Sequence, residues 1–175
     1  EAEAIRDSLL AVSGRLNARL YGRPINPHRH SEDPSKRLFS GPLDGNGRRS
    51  IYLQVSIMDP SKFLLSFNFP DPKLPTGHRD VTNVPTQALV LLNDPFVLSL
   101  AQQWADRLTK EDHQTPDARL QQMFVRALGR PPQKSELARW SALVRSWSTE
   151  KDDALMTDQT AWKHVAHTLF NTKEF

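Results

Sequence analysis

Between Pro95 and Leu108 the apolar residues Val97, Leu100, Ala101, Trp104, Ala105 and Leu108 recur at helical spacing, which predicts an amphipathic helix with one continuous buried stripe. Pro95 stands at its first position, where a missing N–H is harmless, and Asn93 or Asp94 is placed to cap it. Just upstream, Pro85 opens another helix that is expected to end near Leu92, because the Pro95 ring would collide with the carbonyl of Leu91. Ala88 to Leu92 is apolar on nearly every side, as in a short helix surrounded by protein. These two helices are expected at the centre of the core.

Elsewhere the pattern alternates between clear helices and a long irregular stretch. Ile5, Leu9, Val12, Leu16 and Leu20 form a helical stripe over residues 1–20, interrupted only by Gly14, and Glu3 and Arg6 are spaced for a surface pair. From Tyr21 to Gly47 proline, glycine and basic residues replace any periodicity, and DGNG at Asp44–Gly47 is a turn signal. Ile51, Leu53 and Val55 then alternate with Tyr52, Gln54 and Ser56 as in a half-buried strand, which needs a hairpin or a loop backbone as partner. Ser61 to Phe67 suits a helical turn, and FPDPKLPTG after it reads as extended.

Past Leu108 a polar linker, TKEDHQ, leads to Thr115 and Pro116, which cap and open a helix with Leu120, Met123, Phe124, Ala127 and Leu128 inward. Gly129 ends it, and Pro131-Pro132 turns the chain into a helix whose face is Leu137, Trp140, Leu143, Val144 and Trp147. A second linker, STEKDD, precedes a last helix with Trp162, Val165, Ala166, Leu169 and Phe170 inward. The expected fold is mainly α: a helical bundle over 79–175, a helix over 1–20, and between them, over 21–78, a long irregular loop region with one short β-hairpin or strand pair. All 175 residues are expected to form a single domain.

Composition changes this picture in two ways. The absence of cysteine excludes disulfides, thiolate metal sites and a covalently attached c-type haem within this chain. The net charge of +3 is unevenly spread, since Arg15–Arg49 carries eight Lys/Arg against three Asp/Glu. Such a loop can face an anion, but a basic face tied to acidic neighbours is commoner, and nucleic acid is not the expected partner. No apolar run reaches membrane-spanning length, and no signal peptide is expected within these residues. The chain opens directly on a helical pattern and is expected to be a piece of a longer polypeptide.

Taken in order, EAEAIRDSLLAVSGRL, RRSIYLQV, FPDP followed by GHRDV, VPTQALVLLNDPFV and RALGRPP give the chain a resemblance to a planctomycete-specific domain of unknown function, found at the C-terminus of planctomycete cytochrome-c-like proteins. The resemblance implies an exported, multidomain protein at the periplasm or cell surface, with haem confined to an upstream domain and the upstream domains as partners. It also implies that this chain is the later part of a larger C-terminal domain. Asn68 replaces the aspartate usual there, which removes one carboxylate from any candidate site.

Candidate chemistry is sparse. His28 and His30 could hold a divalent metal, but no third ligand accompanies them, so no metal and no cofactor is expected in this chain. His164 and His167 fall opposite and at the edge of the last apolar stripe, and the four tryptophans fit helix faces. Arg49, Asp71, His78, Arg79 and Asp80, with Gln87 and Asn93 bonding nearby backbone, form a candidate polar corner for a sugar or acidic ligand, or else ion pairs holding the loop to the core. The reading that follows is a non-catalytic module organising partner domains or binding carbohydrate. The alternatives are a hydrolytic or redox-coupled enzyme domain whose site is completed by upstream residues, and a structural or surface-assembly component.

Overall fold

A computed structural model describes residues 1–79, 82–111, 115–148 and 152–175, and places them in two units, Glu1–Phe96 and Val97–Phe175. Residues 79 and 82–96 fall in the first of these units. The interiors of both expected polar linkers, at 112–114 and 149–151, lie outside the described residues, as does Asp80.

In the first unit, α1 (Ala2–Ser13) is shorter than the expected 1–20 helix. Gly14 stops it by adopting φ 75°, and the N–H groups of Arg15 and Leu16 both return to the carbonyl of Leu10. Its apolar stripe is only partly covered, and two polar residues share the buried face. Ala2, Arg6, Leu9, Leu10 and Ser13 are buried, whereas Ile5, Val12 and Leu16 are half-buried and Leu20 is exposed. The expected Glu3–Arg6 pair gives way to more distant partners for both residues.

Those partners come from the loop region. The Arg6 guanidinium donates to the carbonyls of Arg48 and Asp44, each at 2.8 Å, and to the Ser50 hydroxyl at 3.3 Å. Buried Arg48 donates in turn to the carbonyls of Arg19 (2.5 Å) and Tyr21 (2.7 Å), and lies 3.8 Å from the centre of the Tyr52 ring. These cations satisfy carbonyls that an irregular backbone would otherwise bury unpaired. The DGNG turn forms as expected, with the Asp44 carboxylate accepting from Asn46 N–H. Gly47 is obligatory there, because it sits at φ 69° and an added Cβ would lie 1.9 Å from the Arg15 carbonyl oxygen.

No β-strand forms among the described residues, which overturns the expected hairpin or strand pair. Only isolated bridges occur, at Asn17 with Arg48, Ile25 with Leu53, and Asp33 with Leu38. Asp7 on α1 accepts from both the N–H and the hydroxyl of Ser50, at 2.8 and 2.7 Å, and fixes Ser50–Tyr52 as a 3-10 turn. That turn breaks the alternation and leaves Ile51 76% exposed. Only Leu53 keeps its pairing, through the bonds of Ile25 with Tyr52 and Gln54.

The short α2 (Lys62–Ser66) fills the expected helical turn, capped by Ser61, and buries Phe63 and Leu64. Phe63 packs edge-on against Phe96 at 5.2 Å and beside Phe67 at 5.1 Å. α3 (Pro85–Asn93) opens at Pro85, and the Gln87 side chain accepts from Val84 N–H. It runs one residue past the expected stop, and Asn93 spends its amide on the Leu89 carbonyl. Asp94 alone makes the corner: its N–H closes α3 onto Val90, and its carboxylate accepts from Phe96 N–H at 2.8 Å at the start of α4 (Pro95–Leu108). Asp94→Ala should therefore cost about 1 kcal/mol in chemical unfolding, and Asn93→Ala clearly less. Equal effects would contradict this division of roles.

α3 itself departs from expectation, since none of its nine residues is buried. It packs on α2 through one side, where Gln87, Val90 and Leu91 are half-covered. On the other side Leu89 is 55% and Leu92 46% exposed, next to exposed Ala88. An apolar sequence states what a helix is able to bury, and here the unit supplies cover for one side only.

The second unit matches its pattern closely. Val97, Leu100, Ala101, Trp104, Ala105 and Leu108 are all fully buried. α5 (Pro116–Leu128) is capped by Thr115 and ended by Gly129 at φ 71°. It buries Leu120, Met123 and Phe124, with Ala127 and Leu128 half-buried. α6 (Lys134–Trp147) buries Trp140 and Val144, with Leu137, Leu143 and Trp147 half-buried. α7 (Gln159–Phe170) buries every residue of its expected face, and α5, α6 and α7 pack mutually. Trp104 stacks on Phe170 at 5.4 Å, and Phe124 meets Trp140 edge-on at 5.3 Å. Buried Arg119, unforeseen in the pattern, donates to the Met156 carbonyl and lies 4.7 Å from the Trp162 ring centre.

Candidate functional site

The loop region of the first unit does not collapse onto itself. Prolines at 27, 34, 42 and 60 keep successive segments extended or turning, and the Arg29–Asp59 ion pair spans them. A cleft of about 430 Å³ is left between Pro27–Gly45, Leu53–Phe63 and the Asp94–Phe96 corner. Its floor includes buried Arg6, Phe63 and Phe96, and its rim carries exposed His28, His30, Lys36, Met58 and Lys62. This volume lies within the range of small-molecule sites.

Charge on its wall is partly compensated. Asp33 is pulled down to about 2, first by the Ser35 hydroxyl and then by Lys36, so it stays ionised. Asp59 is paired with Arg29, and Asp94 is held by the start of α4. Burial pushes the Arg6 guanidinium below its ordinary pKa, while Asp7 and Asp44 oppose the shift. His28 and His30 meet edge-on at 5.8 Å, and His28 Nδ1 lies 3.3 Å from the Gly41 carbonyl oxygen. No set of three His, Cys, Asp or Glu residues able to hold a metal occurs among the described residues.

Among the described residues expected to form a polar corner, Arg49, Asp71, His78, Arg79, Gln87 and Asn93, none lines this cleft. Arg79 grips both carboxylate oxygens of Glu3, at 2.9 and 2.8 Å, and Arg49 lies 3.6 Å from Asp7. Glu3 and Asp7 are one helical turn apart, so the two arginines meet the same edge of α1. Asp71 accepts from Lys73 N–H within its own turn, and His78 is exposed without a partner among the described residues. Gln87 joins Thr82 to Val84, and Asn93 bonds within α3. Arg49 and Arg79 thus tie loops to α1, and among the described residues no hydrogen bond or ion pair joins Asp71 or His78 to them. His28, His30 and His78 make no hydrogen bond to a hydroxyl or carboxylate among the described residues, so none of these three histidines is paired with a hydroxyl nucleophile there. The sequence signal for the cleft was the cationic excess of Arg15–Arg49, together with the His28–His30 pair.

No helix among the described residues is long and apolar enough to cross a membrane. No curated protein and no solved structure matches the chain. One family does match, over residues 1–144, from α1 into α6. The chain belongs to PSD1, a family of proteins of unknown function (DUF1553).

Proposed function

We propose that the chain is a non-catalytic module that organises neighbouring domains, with α3 as its docking element. The observation that carries this reading is the outer side of α3, where Leu89 and Leu92 are 55% and 46% exposed on a helix with no buried residue. Exposed leucines on one side of a regular helix suit an apolar partner surface, and such helices dock through anchors at this spacing. In this reading the partner is an upstream domain of the same polypeptide, within an exported multidomain protein of the planctomycete cytochrome-like type. Haem belongs to that upstream part. Carbohydrate, the other ligand considered from the sequence, would enter through the cleft.

The test uses the Leu89→Glu, Leu92→Glu double variant. Both side chains are exposed, so the variant should keep its stability within about 0.5 kcal/mol. Co-purification with the separately produced upstream region should be lost. Binding equal to that of the unaltered chain would refute the docking role.

A further inference from the structure

The geometry points to the cleft as a binding site for a small organic carboxylate with an apolar or sugar-ring body. Three features converge, and none depends on α3 docking. The Arg29 side chain is only 6% exposed and lines the cleft, yet its Nε–H has no acceptor among the described residues. Native interiors rarely leave such a donor unpaired, and a small turn of the side chain toward the cleft would offer it to an incoming oxygen. The Lys62 ammonium also lines the cleft and forms no ion pair or hydrogen bond among the described residues. Phe63, Phe96 and Leu53 supply apolar wall beside these donors. An anion with a small apolar body satisfies both kinds of surface.

The same wall argues for one negative charge over two. Asp33, Asp59 and Asp94 stand around the cleft, each ionic or hydrogen-bonded to a group of the protein. Their field would repel a phosphate dianion, whereas a single carboxylate can be matched by Lys62 and the Arg29 Nε–H. Among the described residues no glycine-rich loop of free N–H groups favours phosphate instead, since the N–H groups of Gly45 and Gly47 already bond to Pro42 and Asp44.

Calorimetric titration of the intact chain with hexanoate, galacturonate and inorganic phosphate tests this, alongside Lys62→Glu and, as a control away from the cleft, Lys73→Glu. Glutamate at residue 62 suits the first position of α2, so folding is preserved. The expected result is saturable binding of hexanoate or galacturonate, weakened about tenfold by Lys62→Glu and unchanged by Lys73→Glu. Hexanoate alone would assign an aliphatic acid, and galacturonate alone an acidic sugar. Phosphate binding as tight as either carboxylate, no carboxylate binding at millimolar concentration, or equal loss in both variants would each overturn the assignment.

Discussion

Replacing Arg6 by alanine should destabilise the protein by about 3 to 5 kcal/mol, the largest single effect expected in the first unit. The side chain is 5% exposed and bonds two loop carbonyls and a hydroxyl drawn from Asp44, Arg48 and Ser50. Its removal leaves those acceptors without their donor, and removes the tie between α1 and residues some forty positions away. Arg6→Lys should recover only part of the loss, because one ammonium cannot reproduce a fork aimed at separated carbonyls. Chemical unfolding of both variants is the check. A loss below about 1 kcal/mol for Arg6→Ala would mean that the loops are held by other means.

Trp104→Ala should cost a comparable amount, about 3 to 5 kcal/mol, in the second unit. Trp104 is fully buried and stacked on Phe170, so truncation leaves a large cavity. Its indole Nε1–H has no acceptor among the described residues, which gives the prediction a second arm. Trp104→Phe keeps most of the packing and surrenders no hydrogen bond, so it should cost less than half as much. Similar losses in the two variants would indicate that the indole N–H is paired after all.

The helices of the second unit were legible because their apolar residues follow a 3.6 period and their ends carry Thr115, Gly129 and Asp158 in capping positions. In the first unit the stripe of α1 was legible, but the polar residues beside it were not. Ile5, Val12 and Leu16 are only half-buried, while the buried face takes in Arg6 and Ser13, which are buried because their polar atoms find loop carbonyls and the α1 backbone. Hydrophobic type carries no information about such partners. For α3 an error arose, since an all-round apolar sequence was taken to be surrounded, and what surrounds a helix is decided elsewhere in the chain. The expected strand failed for a related reason, because Asp7 captures Ser50 from a distance of 43 residues.

The candidate site was legible only as a region. The irregular stretch from Arg23 to Pro75 does hold most of the cleft, yet its walls also draw on Arg6 and Phe96, which no local pattern joins to it. The polar residues chosen from sequence, Arg49 and Arg79 among them, turned out to meet carboxylates on α1. Charge complementarity within the fold and charge offered to a ligand look alike until the partners are known.

Side-chain footprinting of α3 tests the docking role most directly. Leu89 and Leu92 should be readily labelled by hydroxyl radicals in the 175-residue chain and protected in a longer polypeptide that carries the proposed upstream partner, while exposed Ile51 stays labelled in both. Equal labelling of Leu89 and Leu92 in the two forms would contradict the account.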